Sequence, residues 1–214
     1  AKNPPIPESR AVILSSDSFR GHHYGGNHPL SIPRVALTLD LITCYRPLEA
    51  TEHIQARQAT EKELAWFHTP AYIQALMQCQ KKGRAGPSMR QDFNLGNFEN
   101  PFFHNMFSIP ALAAGASIQG AEALLNGKAA FNPAGGMHHS VPDRARGFCY
   151  VNDAALGIIR LRKEGLRVLY LDIDAHHGDG VQKAFEKDPD VLTLSFHMDT
   201  AYAYPRRGGG IDDT

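Results

Sequence analysis

The chain has 214 residues, 22 basic and 22 acidic side chains, and a composition that is 43% hydrophobic and 21% charged. These values are typical of a globular domain and argue against a disordered chain or a coiled coil, while the zero net charge argues against nucleic-acid binding as the main task. The sequence contains no apolar run of the ~20 residues that a membrane helix requires, so no membrane partner is expected. The three cysteines form no CxxC pair. Together with the lack of a signal-peptide pattern, this predicts a reducing, cytoplasmic location.

The first part of the chain is predicted to be mostly helical after one early strand. The apolar run at 11–15 predicts that strand. Helices are predicted over 34–45 (directly after Pro33), 61–66, 71–81 and 110–125. Residues 82–96 combine Gly, Pro and Ser with few apolar side chains, which predicts a surface loop.

The second part alternates strands and helices. Strands are predicted at 129–131, 168–171 and 191–196, and helices at 152–164 and 180–187, the first of them ended by Gly165. The continuous apolar run at 168–171 predicts a strand buried on both faces. A strand, a helix and a strand of these lengths form a βαβ unit with parallel strands. With no internal repeat and no linker, the sequence predicts one α/β domain with a mainly parallel sheet flanked by helices.

A block of ionisable residues follows directly after the strand at 168–171. In an extended segment residues i and i+2 share a face, so Asp172, Asp174 and His176 are predicted to point the same way. Two carboxylates and an imidazole on one side are typical ligands of a divalent metal, with zinc or iron(II) favoured. The alternative is that the acidic residues cap the next helix, which explains one aspartate but not a cluster with histidines.

Two adjacent histidines, His138 and His139, occur in a second loop, after two glycines that allow the backbone to bend. Asp172 and Asp179 are candidates to orient the two rings and raise their basicity. A metal that activates water and two histidines that move protons are the equipment of a metal-assisted hydrolase. The pair at 22–23 has no neighbouring carboxylate cluster, and we interpret it as a surface loop.

Three motifs, at 133–139, 147–153 and 172–180, resemble those of the zinc-dependent histone deacetylase family, which includes bacterial deacetylase-like and acetoin-utilisation proteins. The resemblance extends from His28 and Arg34 through 94–101 to 195–197 and is strongest over 133–197. It implies an arginase/deacetylase-like fold and the hydrolysis of an acetylated lysine or a similar amide.

The resemblance also implies roles for individual residues. Asp174 and His176 correspond to two of the three protein ligands of the catalytic zinc. His139 corresponds to the general base and then acid, and His138 to an electrostatic support. Asp172 and Asp179 correspond to their respective orienting carboxylates.

The substrate channel and two structural monovalent-cation (K⁺) sites are implied in the same way. Gly147 and Phe148 resemble the channel wall, Arg34 the channel floor, and Glu99 the rim aspartate of the family. The residues that match the two cation sites are Asp172, Asp174, His176, Ser195 and Phe196 for the first, and Phe185, Asp188 and Val191 for the second.

Two parts of the family's site have no counterpart in a matching motif of this sequence. They are the third metal ligand, an aspartate, and the tyrosine that stabilises the oxyanion; here the chain offers Asp199, Tyr202, Tyr204, Asp212 and Asp213. We therefore expect 1–214 to be the N-terminal portion of one deacetylase-like domain, incomplete at its C-terminus and inactive alone. Two alternatives stay open: an amidohydrolase of acetylated polyamines or other small amides, and an inactive module that binds acyl-lysine.

Overall fold

The structure is a computed structural model that describes residues 11–21, 29–45, 52–206 and 208. The histidine pair at 22–23, His28, Asp212 and Asp213 lie outside the described residues. The strands are β1 (Ala11–Ser15), β2 (Glu52–Gln55), β3 (Ala129–Phe131), β4 (Val168–Asp172) and β5 (Val191–Ser195). The helices are α1 (Arg34–Tyr45), α2 (Glu61–Leu64), α3 (Pro70–Lys82), α4 (Pro87–Phe93), α5 (Ser108–Leu125), α6 (Asp153–Arg162) and α7 (Asp179–Phe185).

All strand pairs are parallel. Strand β1 lies between β2 and β3 in a three-stranded sheet, and β4 pairs with β5 in a two-stranded sheet. In the second sheet Val168 is opposite Val191 and Asp172 is opposite Ser195, with α7 as the connection. This confirms the predicted βαβ unit with parallel strands. Strand β2 was not predicted, because its four residues carry no apolar alternation.

Local sequence signals explain where several helices begin. Thr60 and Glu63 form a reciprocal capping box at α2, and Thr69 caps α3 directly before Pro70. The prediction of a surface loop over 82–96 is wrong, because α4 lies within it. Pro87 stands in the first turn of α4 and Asn94 ends the helix in the left-handed conformation, so the residues that indicated a loop are helix boundaries.

Helix α5 is the central helix of the larger core. Most of its residues are buried, which is typical of a helix covered on several sides. It packs against β1 and β3 on one side and against α6 on another. Gly115 permits close contact with the segment before α2, since an added Cβ would lie 2.7 Å from the backbone nitrogen of Ala59 and closer still to the carbonyl oxygen of Arg57.

Helices α6 and α7 cover one face of the β4–β5 sheet. Val168, Tyr170 and Val191 face this side and pack with Ile158 and Phe185. The prediction that the first of these strands is buried on both faces is wrong for the described residues, since the opposite face is exposed. The exposed fractions there are 61% for Leu169, 54% for Leu171, 58% for Leu192 and 41% for Leu194.

Among the described residues, no helix combines the length and the apolar character that crossing a membrane would require.

Candidate active site

The two adjacent histidines lie buried where the loop after β3 meets the carboxyl end of β4 and the start of α7. His138 is 6% exposed and His139 is 4% exposed. Their ring centroids are 4.0 Å apart and the ring planes are tilted by 49°. Helix α7 approaches the backbone of both residues closely, because Gly180 has no side chain.

His138 is paired with Asp172, the last residue of β4. Its Nδ1 lies 2.7 Å from Oδ2 of Asp172, and both side chains are almost completely buried. The same carboxylate accepts hydrogen bonds from the hydroxyl of Tyr170 at 2.6 Å and from the backbone nitrogen of Asp174 at 3.0 Å. These donors compensate the carboxylate for its burial, as a buried charge requires.

His139 is paired with Asp179, the first residue of α7. Its Nδ1 lies 2.8 Å from Oδ1 of Asp179. The second carboxylate oxygen accepts from the guanidinium of Arg146 at 2.6 Å, and both of those side chains are largely buried. Asp179 therefore connects His139 to a fixed positive charge.

The environment separates the two histidines electrostatically. Burial disfavours the charged ring of His138, but the hydrogen bond and charge of Asp172 outweigh it and raise the pKa of His138. Burial dominates at His139 and lowers its pKa, with Asp179 opposing and the neighbouring His138 adding to the decrease. Asp172 has its pKa lowered to about 2, because donors such as His138 and Tyr170 outweigh its desolvation. Titratable pairs whose pKa values are driven apart are typical of acid–base sites.

Asp174 and His176 are more exposed than the histidine pair. The prediction that Asp172, Asp174 and His176 point the same way assumed an extended segment, but β4 ends at Asp172. The common direction of the three side chains stays a prediction. Asp172 is buried, whereas the side chains of Asp174 and His176 are 53% and 49% exposed. The ring of His176 nevertheless lies beside that of His139, at 6.1 Å between centroids.

The chemistry of this second pair fits a divalent transition metal. Oδ1 of Asp174 and Nδ1 of His176 are 3.0 Å apart, and a carboxylate with an imidazole is a donor set suited to zinc or iron(II). Within the described ranges no group of three or more His, Cys, Asp or Glu side chains is placed to hold a metal. Asp174 and His176 stay predicted ligands, two of the three that catalytic zinc sites use.

Three of the residues predicted to line the channel, Glu99, Gly147 and Phe148, lie close to His139. Glu99 accepts hydrogen bonds from the backbone nitrogen of Gly147 at 2.7 Å and from the hydroxyl of Tyr204 at 3.0 Å. The ring of Tyr204 packs edge-on against His139 at 4.7 Å. Phe148 has a positive φ of 66°, an uncommon conformation for a bulky residue. These contacts bring four residues close together: Gly147, Phe148, Tyr204 and His139.

Arg34 lies elsewhere, at the start of α1. It lines a cavity of about 80 Å³ together with Phe19, Ile109 and Met137. Met137 directly precedes the histidine pair, so this cavity adjoins the site from the side of α1 and α5.

The residues matched to monovalent-cation sites fall in two places. Oγ of Ser195 lies 2.8 Å from Nδ1 of His197, and the backbone nitrogen of Phe196 donates to the carbonyl oxygen of Asp172 at 2.9 Å. Phe185, the last residue of α7, and Val191, the first residue of β5, are buried, while Asp188 pairs with Arg162. Cation binding at these residues stays a prediction.

Sequence reasoning did not predict the contacts of Tyr170 and Arg146 with the site, and it named Tyr204 without predicting its contact with His139. Tyr170 could have been found, since it stands two positions before Asp172 and so shares its face of the strand. Arg146 and Tyr204 approach from separate loops, and the sequence contains no local signal for either contact.

A comparison with protein-family models agrees with this geometry. The model of the histone deacetylase domain matches residues 28–214. The chain belongs to the histone deacetylase family. The resemblance inferred from the three motifs and the predicted α/β fold class with a parallel sheet flanked by helices are therefore confirmed.

Several relatives within the histone deacetylase family match most of this chain. The acetoin utilization protein AcuC of Bacillus subtilis (strain 168) is 37% identical over 201 residues, which cover 92% of this chain and 52% of AcuC. Histone deacetylase 8 of Danio rerio is 39% identical over 181 residues, or 84% of this chain and 48% of that protein. The chain thus spans about half the length of these curated relatives.

Solved structures of the family match the fold closely. The crystal structure of an HDAC homologue from Aquifex aeolicus superposes with a TM-score of 0.91 at 41% identity, over 95% of this chain and 55% of that one. A second structure, of an HDAC homologue in complex with SAHA, gives a TM-score of 0.89 at 43% identity and covers 95% of this chain and 55% of that one. The roles of the individual site residues stay predictions.

Proposed function

We propose that the protein hydrolyses the amide bond of acetylated lysine side chains by metal-assisted, histidine-mediated catalysis. The observation that carries the proposal is the pair of buried histidines, each bound through Nδ1 to its own carboxylate, with the Asp174–His176 pair beside them. Membership of the histone deacetylase family supports the same reaction class.

Asp174 and His176 would hold the metal, Zn²⁺ or alternatively Fe²⁺. When bound there, such an ion polarises the substrate carbonyl and lowers the pKa of a water molecule. His139 is suited to the proton transfers, because the decrease in its pKa keeps the ring neutral near pH 7. Since Nδ1 is held by Asp179, Nε2 is the atom that takes the proton of the attacking water and returns it to the leaving amine.

His138 serves a different purpose. Its raised pKa favours the positively charged ring, which stabilises the negative charge that develops as the amide is attacked. Gly147 and Phe148 would form the wall beside the substrate's alkyl chain, with Glu99 holding Gly147 in place. K⁺ bound near Ser195 and Phe196 would add rigidity around the carboxyl end of β4.

The central test replaces His139 by alanine in the full-length protein. We expect turnover of an acetyl-lysine peptide to fall by ~10²–10⁴-fold, the usual contribution of general acid–base catalysis, with unchanged metal content. The matched control is His104→Ala, because His104 is exposed and should leave turnover unaffected. Near-normal turnover in His139→Ala would assign the proton transfers to another group.

The same assay with other ligands separates the alternatives. Faster hydrolysis of an acetylated polyamine than of the peptide would indicate a small-amide amidohydrolase. Binding of the peptide without hydrolysis by the metal-loaded protein would indicate an inactive acyl-lysine-binding module.

A further inference from the structure

Helix α6 begins with two buried polar residues that the proposed mechanism does not use. Asn152 is 0% exposed and Asp153 is 2% exposed. Buried polar side chains are costly unless their hydrogen bonds are made, so the partners of these two residues indicate what they are for.

Asp153 binds the loop just before the histidine pair. Its Oδ1 accepts from the backbone nitrogen of Met137 at 2.8 Å, and its Oδ2 accepts from that of Gly136 at 3.2 Å. Oδ2 also accepts from the hydroxyl of Ser117 on α5 at 2.5 Å. An added Cβ on Gly135 would lie 2.6 Å from Oδ2, so the loop passes as close to this carboxylate as glycine allows.

Asn152 binds the same loop on its other side. Its side-chain amide nitrogen donates to the carbonyl oxygen of Ser140 at 3.0 Å and to that of His138 at 3.4 Å. Its Oδ1 accepts from the backbone nitrogen of Ala155, as an N-cap does. Its own backbone nitrogen donates to Nε2 of the buried His68 at 3.0 Å.

The chemistry of the two side chains matches the two sides of the loop. A carboxylate can only accept, and Asp153 faces backbone N–H groups; an amide nitrogen can only donate, and that of Asn152 faces carbonyl oxygens. Helix capping by itself would need one of these bonds, the one from Ala155 to Asn152. Of the remaining bonds, four are directed at residues 136–140. One more joins Asp153 to Ser117, and another joins the backbone of Asn152 to His68.

We propose that Asn152 and Asp153 are positioning residues that hold the backbone of 136–140 from both sides and thereby set the ring orientations of His138 and His139. Because each ring must keep its Nδ1 on a fixed carboxylate while Nε2 of His139 faces the reacting water, a small rotation of this backbone disturbs both requirements. The catalytic consequence of this proposal rests on the proposed function, whereas the orientation of the rings does not.

The test compares Asp153→Asn, Asn152→Ser and Ser117→Ala with the wild-type protein. Asp153→Asn directs an NH₂ group at a backbone N–H or at Ser117, and should lower kcat by ~10²-fold, the effect of a misplaced catalytic group, with KM little changed. Ser117→Ala leaves both backbone donors on Asp153 and should have a smaller effect. Asn152→Ser keeps a capping oxygen but removes the amide donor, and should lower kcat in the same way if Asp153→Asn does not fold.

Two further measurements separate positioning from a general loss of stability. Nitrogen-15 NMR of the imidazole rings should show altered signals for His138 and His139 in the metal-free variants, and thermal unfolding gives their stability. Leu39→Ala is the stability control, since Leu39 is buried on α1 and is part of neither the cluster of Val151 and Leu156 nor that of Ala155. It should lower the melting temperature and leave the ring signals unchanged.

A folded Asp153→Asn or Asn152→Ser protein with wild-type kcat and wild-type ring signals would overturn the proposal. So would an equal loss of kcat in Leu39→Ala. If the full-length wild-type protein does not hydrolyse the peptide, the proposed function fails. Altered ring signals in the variants would still support the positioning role, and unaltered ones would refute it.

Discussion

Replacing Gly180 by alanine tests whether the close approach of α7 holds the histidine pair in place. A Cβ at this position would lie 2.8 Å from the carbonyl carbon and oxygen of His139 and closer still to the carbonyl oxygen of His138. Ordinary contacts of this kind are ~3.4 Å, so the helix and the loop must separate by at least about 0.6 Å. The atoms in the way belong to the backbone, and no side-chain rotation can relieve the contact.

Two effects should follow from this separation. Overpacking of a well-packed site costs ~1–3 kcal/mol in the free energy of unfolding. For a domain of this size that lowers the melting temperature by roughly 2–12 °C. Because Asp179 on α7 holds His139, the displacement also moves the proposed base, and turnover should fall by up to ~10²-fold.

The assay measures thermal unfolding and peptide hydrolysis for Gly180→Ala beside the control Gly157→Ala. Gly157 lies in α6, where an added Cβ would meet Ser117 at 3.4 Å or more, and alanine there should be neutral or stabilise the protein by up to ~1 kcal/mol. If Gly180→Ala melted at the wild-type temperature with wild-type turnover, the interpretation that α7 sets the position of the histidines would be refuted.

Three further predictions concern single side chains. Burial lowers the pKa of His68 from 6.5 to about 4, so the unfolded state takes up a proton first as the pH falls. Between pH 6.5 and about pH 4 the free energy of unfolding, measured with urea, should decrease by ~3 kcal/mol, and His68→Gln should diminish this decrease. Asp174→Ala should lower the zinc content found by elemental analysis while the melting temperature stays close to wild type, because that side chain is half exposed; unchanged zinc would exclude Asp174 as a ligand. Asp179→Asn should lower kcat by ~10²–10⁴-fold, because an amide can also donate to Nδ1 and so no longer favours the tautomer of His139 that carries its proton on Nδ1 and leaves Nε2 unprotonated. An unaltered kcat would show that Asp179 does not orient His139.

The sequence by itself determined the type of most elements and indicated the candidate residues for the chemistry. Thr69 and Pro70 begin a helix, because helix capping depends only on residues next to one another in the chain. The apolar run that starts at Val168 predicts a strand because this signal also lies within a few consecutive residues. The concentration of Asp and His after that strand indicated a metal-assisted site, since such groups are costly near a buried strand unless they pair. The resemblance to deacetylases supplied the individual roles.

Only the tertiary structure decided which groups meet and which faces are covered. Several contacts of the site join segments that are separate in the sequence. They are the contact of Arg146 with Asp179, that of Tyr204 with His139, and those of Asn152 and Asp153 with residues 136–140. No periodicity records such contacts, because each depends on how separate elements pack rather than on the residues next in the chain. The exposed leucines of β4 and β5 show the same limit, since an apolar run records the tendency of a strand to be buried but not which neighbour covers each face.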